Sequence, residues 1–328
     1  MRFLALRSIL SNMQETIDTP VALLVMCHAL NSATLEEYRR IAKAVENIAT
    51  PRLLLHLKAQ PAPSWPNEPI FSFTDNDLAK LGHPRIGRGV IPGNAHSPLL
   101  HFFKHHPGYA YYWVVEYDVR FSGEWRLFFE SFLDNDADFL TCHIRRYKDE
   151  PRWCWWRWHR PEKQIPLPDC LRSFNPIYRI SRPALTHLHT CLNDGWCAHF
   201  ELLMPTLLFH GGFQLADFGG TGEFVPPGCE NKFYIDSPPD EYGLLKSGTM
   251  RSGPPLARPG TEQNKLYHPV KCLSQAAKFK WFLRGIKSAG LSASQRLQKL
   301  IKKPLRRSGS FACFETNPAP WPWQRPNR

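Results

Sequence analysis

Residues 111–119 form an apolar run that ends in two acidic side chains, and this run limits the possible fold more than any other stretch. The sequence is Tyr-Tyr-Trp-Val-Val-Glu-Tyr-Asp-Val. Unbroken aromatic and β-branched residues are typical of a buried strand. Side chains two apart lie on one face of an extended chain, so Glu116 and Asp118 are predicted to project together from the strand's carboxyl end. There they can hold Mn2+ or Mg2+. The alternative is an acidic strand end, solvated or paired with Arg120 or Arg126.

Strand and helix patterns alternate through residues 20–272. Strands are predicted at 20–27, 51–57, 70–73, 111–119, 137–143, 177–180 and 213–218, and helices at 34–48, 99–105, 125–133, from 181 and at 200–209. Thr34, with Glu37 three residues later, is the predicted cap of the first helix, and Pro205 is expected to interrupt the last. This alternation predicts an α/β fold, with helices on both faces of a mostly parallel sheet. No Gly-x-Gly-x-x-Gly follows the first strand, and there is no Walker loop.

The positive charge is concentrated near the C-terminal end. Residues 273–328 contain twelve Lys or Arg and one acidic residue, Glu315, whereas residues 1–272 are nearly neutral. We therefore predict a body of residues 1–272 and a basic tail of residues 273–328. Apolar and basic residues alternate in the tail at near-helical spacing, which is typical of segments that lie on anionic membrane surfaces. A helix packed on the body and contact with nucleic acid are the alternatives.

Several absences restrict the class of protein. No apolar run approaches the roughly 20 residues that span a bilayer. The first ten residues lack a cleavage site after their apolar run, so we expect no signal peptide and a cytoplasmic protein, with any membrane attachment peripheral. The nine cysteines are scattered and include no Cys-x-x-Cys pair. Free thiols in a reducing compartment are therefore expected.

The element order and the acid-x-acid element resemble the GT-A family of nucleotide-sugar glycosyltransferases across about residues 20–272. Residues 112–123, Tyr-Trp-Val-Val-Glu-Tyr-Asp-Val-Arg-Phe-Ser-Gly, also resemble a group of glycosyltransferase-like proteins. The family motif is usually Asp-x-Asp, and this chain has Glu in first place. The resemblance implies a GT-A-like fold, a nucleotide-sugar donor, Mn2+ or Mg2+, and inverting transfer to a hydroxyl acceptor. A lipid-linked or cell-envelope glycan as acceptor would suit the basic tail.

The resemblance also implies roles for individual residues. Asp118 would ligate the metal directly, and Glu116 would bind the metal or the ribose. His268 stands where a family histidine completes the metal shell, although an ordinary loop histidine is the alternative. Glu201, at a predicted helix start, would take the proton from the acceptor hydroxyl, with His199 as the rival base. An acid that only interacts with the helix macrodipole is the alternative for Glu201.

Three further residues would meet the donor nucleotide. His28 follows the first predicted strand, and Asp75 and Asp77 follow the third. In the family these places face the base and the ribose. The Thr-Asp-Asn-Asp sequence that contains both acids is also favourable turn chemistry, so either acid can instead be a turn or cap residue.

A cluster of four tryptophans follows the strand predicted at residues 137–143. Its members are Trp153, Trp155, Trp156 and Trp158. Aromatic faces stack on sugar rings, so an acceptor platform is one interpretation. Stacking on nucleic-acid bases and simple packing under a loop are the others.

Two other functions compete with the glycosyltransferase. One is a non-catalytic protein that binds nucleic acid or membrane through the tail and the tryptophans. If the chain is instead an enzyme, we expect no nucleic-acid partner. The other is a metal-dependent nucleotidyltransferase. That class usually carries a glycine-rich phosphate loop early in the chain, and this sequence has none.

Overall fold

The computed structural model describes residues 20–28, 30–58, 68–91, 93–240 and 244–271, so the predicted basic tail lies outside the described residues. The strands are β1 (Val21–Cys27), β2 (Thr50–His56), β3 (Ile70–Phe73), β4 (Tyr111–Glu116), β5 (Arg120–Phe121), β6 (Phe139–Arg146), β7 (Leu171–Ser181), β8 (Leu215–Asp217) and β9 (Leu266–Tyr267). The α-helices are α1 (Ser32–Ala44), α2 (Asp75–Ala79), α3 (Ser97–His105), α4 (Trp125–Glu130), α5 (Arg182–Asn193) and α6 (Phe200–His210).

Seven strands form one mixed sheet in the order β3-β2-β1-β4-β7-β6-β8. The first four are parallel to one another, and β8 is parallel to β6. β7 is antiparallel to both of its neighbours, so it alone among these seven runs against the rest. The predicted α/β fold with a mostly parallel sheet is confirmed.

The side chains of each strand alternate between two apolar cores, one on each face of the sheet. In β1, Ala22 and Leu24 belong to one core and Leu23 and Val25 to the other. Helices α3, α5 and α6 cover the first face, and α1 and α4 cover the second. This is the period of two that an extended chain imposes. Because both faces are covered, β1 and β4 are apolar along nearly all of their length, as the sequence pattern predicted.

The central strand is shorter than predicted. β4 ends at Glu116, and the Val119 N–H donates to the Glu116 carbonyl at 3.0 Å, which closes a tight turn. Asp118 therefore lies in this turn and not on the strand. The two acids do lie together, as predicted, but strand alternation is not the cause. The turn after β4 brings Asp118 beside the end of the strand.

Three smaller predictions were also wrong in detail. Helix α1 begins at Ser32, because the Asn31 side chain accepts the Thr34 N–H and is the cap, not Thr34. α6 continues through Pro205, since its neighbours on all sides are buried and packing maintains the helix. The strand predicted at 177–180 is the end of the eleven-residue β7, whose polar residues disguise its length.

The helices in the described part of the chain are short. The longest of them, α1, has 13 residues. None of the described helices is both long and apolar enough to cross a membrane. The seven cysteines in the described ranges are all free, as the sequence predicted for them.

Candidate metal centre

Three side chains that could ligate a metal converge at the carboxyl edge of the sheet. The ligand atoms of Glu116, Asp118 and His268 all lie within 4.8 Å of one another, and this is the only such group found among the described residues. The Nε2 atom of His268 lies 3.4 Å from Oε2 of Glu116 and 3.6 Å from Oδ1 of Asp118.

Backbone pairing holds the two parts of this group together. β5 follows the Glu116 turn and pairs antiparallel with β9, which directly precedes His268. The Val270 N–H then donates to the Asp118 carbonyl at 2.8 Å, and the His268 N–H donates to the Thr249 carbonyl at 3.0 Å. These bonds fix His268 on both sides, so its position depends on the fold and not on a mobile side chain.

The tautomer of His268 is set by a carbonyl on its far side. Nδ1 lies 2.8 Å from the carbonyl oxygen of Arg251. Because a carbonyl oxygen can only accept, Nδ1 must carry the proton that it donates. Nε2 is then the nitrogen that faces the acids, as expected for a metal-binding histidine oriented by a backbone carbonyl.

The group is largely withdrawn from water. The exposed fraction of the side chain is 2% for Asp118, 10% for His268 and 25% for Glu116. Burial by itself lowers the pKa of His268, but the hydrogen bond with Glu116 and the charges of Asp118 and Glu116 outweigh it and raise that pKa above its ordinary value. The site therefore attracts positive charge, as a proton on Nε2 or as a cation in its place.

The donor set fits a divalent cation. Two carboxylates supply hard oxygen atoms, and the imidazole supplies one nitrogen whose orientation is already fixed. Carboxylate ligands suit Mg2+ and Mn2+, and a manganese site also accepts a histidine. Glu116, Asp118 and His268 could thus hold the metal that the resemblance implied.

Glu201 lies beside the metal-ligand group. It is in the first turn of α6, and its carboxylate accepts the backbone N–H of Asn175 in β7. β7 is the neighbour of β4, with Ile177 opposite Val115, so Asn175 reaches the end of β4 where Glu116 stands. The pairing of β7 with β4 explains why Glu201, remote in sequence, comes near the acids.

The environment of Glu201 gives it an unusual acidity. Burial raises its pKa from the ordinary 4.5 to about 7, and Glu116 adds to the increase, while Arg172 and the Asn175 N–H oppose it. Its side chain is 12% exposed. A carboxyl group with this pKa can accept and release a proton near neutral pH, which is what general acid–base catalysis needs.

His199 is the cap of α6. Its Nδ1 accepts the Glu201 N–H at 3.4 Å, and its ring stacks on Trp155 with centroids 4.5 Å apart. Burial, with a smaller effect of Arg172, lowers its pKa to about 3. An imidazole with so low a pKa is a weak base, so Glu201 fits the role of base better than His199 does.

The residues predicted to meet the nucleotide lie along the same edge of the sheet. His28 follows β1, and its ring meets that of Tyr117 edge-on at 4.9 Å. Asp75 pairs with Nε2 of His56 at 3.2 Å, and its side chain is 54% exposed. Asp77 completes a capping box with Thr74 at the start of α2. β3 is three strands from β4, about 14 Å at the usual spacing, so neither Asp75 nor Asp77 joins the metal group.

Two of the four tryptophans are buried packing residues. Trp153 and Trp156 are 4% and 9% exposed, and the Trp156 indole N–H donates to the Glu150 carbonyl. Trp155 and Trp158 are partly exposed, and Trp158 meets Trp196 edge-on at 5.2 Å. These contacts account for the first two tryptophans and leave half of the cluster accessible.

Arg172 was missed at the sequence level. Its side chain is only 2% exposed; it contacts Glu150 at 2.9 Å and lies 4.4 Å from the Trp153 ring centroid. Its charge lowers the pKa of Glu201. The available signal was an arginine between the apolar residues Leu171 and Phe174 at the start of β7, since a buried charge requires partners.

Comparison with known proteins gives little further information. The sequence matches no protein-family model and no curated protein. Among solved structures, it is similar to a putative glucose-1-phosphate thymidylyltransferase from Bacillus anthracis in complex with a sucrose. The TM-score is 0.36 and the identity 10%, over 61% of this chain and 88% of that chain. So distant a likeness assigns neither a family nor an activity.

Proposed function

We propose that this protein is a metal-dependent glycosyltransferase that moves a sugar from a nucleotide-sugar donor to a hydroxyl acceptor. The observation that carries the proposal is the convergence of two carboxylates and an oriented imidazole beside Glu201, whose pKa is about 7. All of them lie at the carboxyl edge of a mostly parallel sheet, where such folds bind their ligands.

Asp118, Glu116 and His268 would hold Mn2+ or Mg2+ and leave further coordination positions for the donor. When bound, the cation would neutralise the charge of the departing diphosphate. The carbonyl of Arg251 keeps Nε2 of His268 directed at the site without any rearrangement. His28 and Asp75 would contact the nucleoside along the edge towards β3. Asp77 would act through the cap that positions Asp75.

Glu201 would accept the proton of the acceptor hydroxyl as that oxygen attacks the sugar. The Asn175 N–H and the His199 cap fix the position of Glu201 before any substrate binds. In this scheme a single carboxylate acts as the base and no protein side chain attacks the sugar, which corresponds to an inverting reaction. The low dielectric that raises the pKa of Glu201 also makes it a stronger base once it is ionised.

The test is donor binding followed by product analysis. We expect one or more sugar esters of UDP, GDP, TDP, ADP or CMP to raise the thermal midpoint of the protein, and to do so only with Mn2+ or Mg2+. Asp118→Asn should abolish the shift, whereas the exposed Asp134→Asn should retain it.

Product analysis separates the two enzymatic possibilities. A glycosyltransferase releases a nucleoside diphosphate, or a monophosphate from a CMP donor. A nucleotidyltransferase that works on a sugar phosphate releases pyrophosphate from a nucleoside triphosphate. Pyrophosphate release, or donor binding that ignores the metal, would contradict the proposal.

A further inference from the structure

A cavity of about 480 Å³ opens at the carboxyl end of β6. Its wall is formed by residues from the end of β6 and the turn after it, by Thr221, by Asn231 and by residues 235–239. None of the three metal-ligand candidates lines it, and Glu201 does not either. Its volume falls within the range of small-molecule sites, about 300–1,000 Å³.

The floor of the cavity is built around His143. Its Nε2 lies 2.6 Å from Oε1 of Glu150, and its Nδ1 lies 2.8 Å from Oδ1 of Asp236. Its backbone has a left-handed φ of 51°, and its N–H donates to the hydroxyl oxygen of Tyr234 at 2.8 Å. A side chain held at both nitrogens, on a backbone rarely adopted outside glycine, has no freedom to move. The floor is therefore rigid.

The arginine charges around this floor are already paired within the protein. Arg145 pairs with Asp236, and Arg172 pairs with Glu150 from behind. No excess positive charge remains to attract a phosphate. The described residues of the cavity also form no group of three that could ligate a metal.

Hydrogen-bonding capacity nevertheless remains at the rim. Asp149 is exposed, and one of its carboxylate oxygens accepts the Arg146 N–H, which leaves the other for a ligand. Asn231 is also exposed, and its amide oxygen accepts the Asp236 N–H, which leaves the amide nitrogen as a donor. Pro239 and its neighbours Ile235 and Pro238 add apolar surface. Donors and acceptors beside a small apolar face complement a ring that bears hydroxyl groups.

We propose that this cavity binds a neutral saccharide, as the acceptor sugar of the transferase reaction. The acceptor role rests on the proposed function; the binding of the saccharide does not. β4 and β6 run in the same direction, so the cavity and the metal centre share the carboxyl edge of the sheet. Glu150 and Arg172 connect the floor of the cavity to the surroundings of Glu201.

The experiment is ligand-detected NMR on the full chain in EDTA. The probes are glucose, galactose, mannose, N-acetylglucosamine, maltose, cellobiose and lactose, with the anions glucose 6-phosphate and glucuronate as charged analogues. We expect at least one neutral sugar to bind, and its charged analogues to bind at least tenfold more weakly. Asp149→Trp should abolish the signal by closing the rim. Lys148→Trp, exposed in the same turn but outside the cavity wall, should preserve it.

The outcomes separate this inference from the proposed function. Binding of no neutral sugar, stronger binding of the charged analogues, or binding that survives Asp149→Trp would overturn the cavity assignment. Asp118→Asn should leave saccharide binding unchanged, since no metal is involved. If saccharides bind but nucleotide sugars do not, the cavity assignment is supported and the proposed transferase function is rejected. If nucleotide sugars bind but saccharides do not, the cavity assignment is rejected and the proposed transferase function is supported.

Discussion

The Nε2 atom of His268 lies 3.6 Å from Oδ1 of Asp118, although the two residues stand far apart in the sequence. A backbone hydrogen bond from Val270 to the Asp118 carbonyl maintains this relationship. An acid and an imidazole in this position attract one positive charge between them: a proton when the site is metal-free, or a divalent cation. A cation that binds here should therefore displace the proton and stabilise the fold.

Mn2+ alone should stabilise the protein, and Asp118→Asn should remove the effect. A ligand that binds only the folded state adds about 2.7 kcal/mol to the free energy of unfolding at 100 times its Kd. The measurement is the thermal midpoint with and without Mn2+. Asp134→Asn, an exposed acid in a different loop, is the matched control and should behave as the parent protein. An equal Mn2+ response in both variants would remove Asp118 from the metal site.

The rate of transfer should rise with pH and level off above about 7. Burial raises the pKa of Glu201 to about 7, and a base acts only in its ionised form, so the rate should fall about tenfold per pH unit below that value. Glu201→Gln should reduce the rate by about 100- to 10,000-fold. Nucleoside diphosphate release between pH 5 and 9 is the measurement. A flat profile below pH 7 would exclude Glu201 as the base.

Glu201→Gln should also make the protein more stable at alkaline pH. The pKa of Glu201 is raised on folding from 4.5 to about 7, so the folded state binds the proton more tightly than the unfolded state does. Its favourable contribution is complete below pH 4.5 and is lost as the pH rises through 7. The parent should lose up to about 3 kcal/mol relative to Glu201→Gln between pH 4 and pH 8.

Urea unfolding in EDTA measures this difference. Glu162→Gln is the control, because Glu162 is 63% exposed and forms only a distant ion pair with Arg160. An identical pH dependence of stability in the parent and in Glu201→Gln would mean that Glu201 is not buried as an acid.

Arg172→Met should destabilise the fold far more than a surface arginine substitution. Arg172 and Glu150 are 2% and 3% exposed, and loss of one partner leaves a buried charge, at a cost of about 3–5 kcal/mol. Arg126→Met breaks the exposed pair with Glu130 and should cost less than about 1 kcal/mol. The free energy of unfolding in urea compares the two. The double variant Arg172→Met with Glu150→Gln should recover part of the stability that Arg172→Met loses. If the stability losses of the two single variants simply add in the double variant, the pair is not coupled.

The basic tail should bring the full chain to anionic vesicles. Residues 273–328 contain twelve Lys or Arg, which favour attachment to an anionic surface. This attachment should weaken as the salt concentration rises. Co-sedimentation with vesicles that contain phosphatidylserine, compared with phosphatidylcholine alone, measures it. Equal binding to both would contradict the prediction.

The sheet and its helices could be predicted from the sequence because their signals are local. The apolar runs of β1, β2, β3 and β4 and the Ser181 cap of α5 each depend on the chemistry of a few consecutive residues. The length and antiparallel direction of β7 could not, because its arginine and asparagine side chains are satisfied by partners from other elements. Direction in a sheet is a long-range property.

The candidate site divides in the same way. The sequence by itself determined that Glu116 and Asp118 stand at the end of a buried strand, because apolar residues beside acids carry that information locally. The family resemblance suggested His268 as a third ligand, but only the tertiary structure placed its Nε2 atom 3.4 Å from Glu116. Only the tertiary structure decided that the charge of Arg172 acts on Glu201 and that the pKa of Glu201 reaches about 7. Burial and charge depend on distances between residues far apart in the chain, and those distances exist only after the strands have paired.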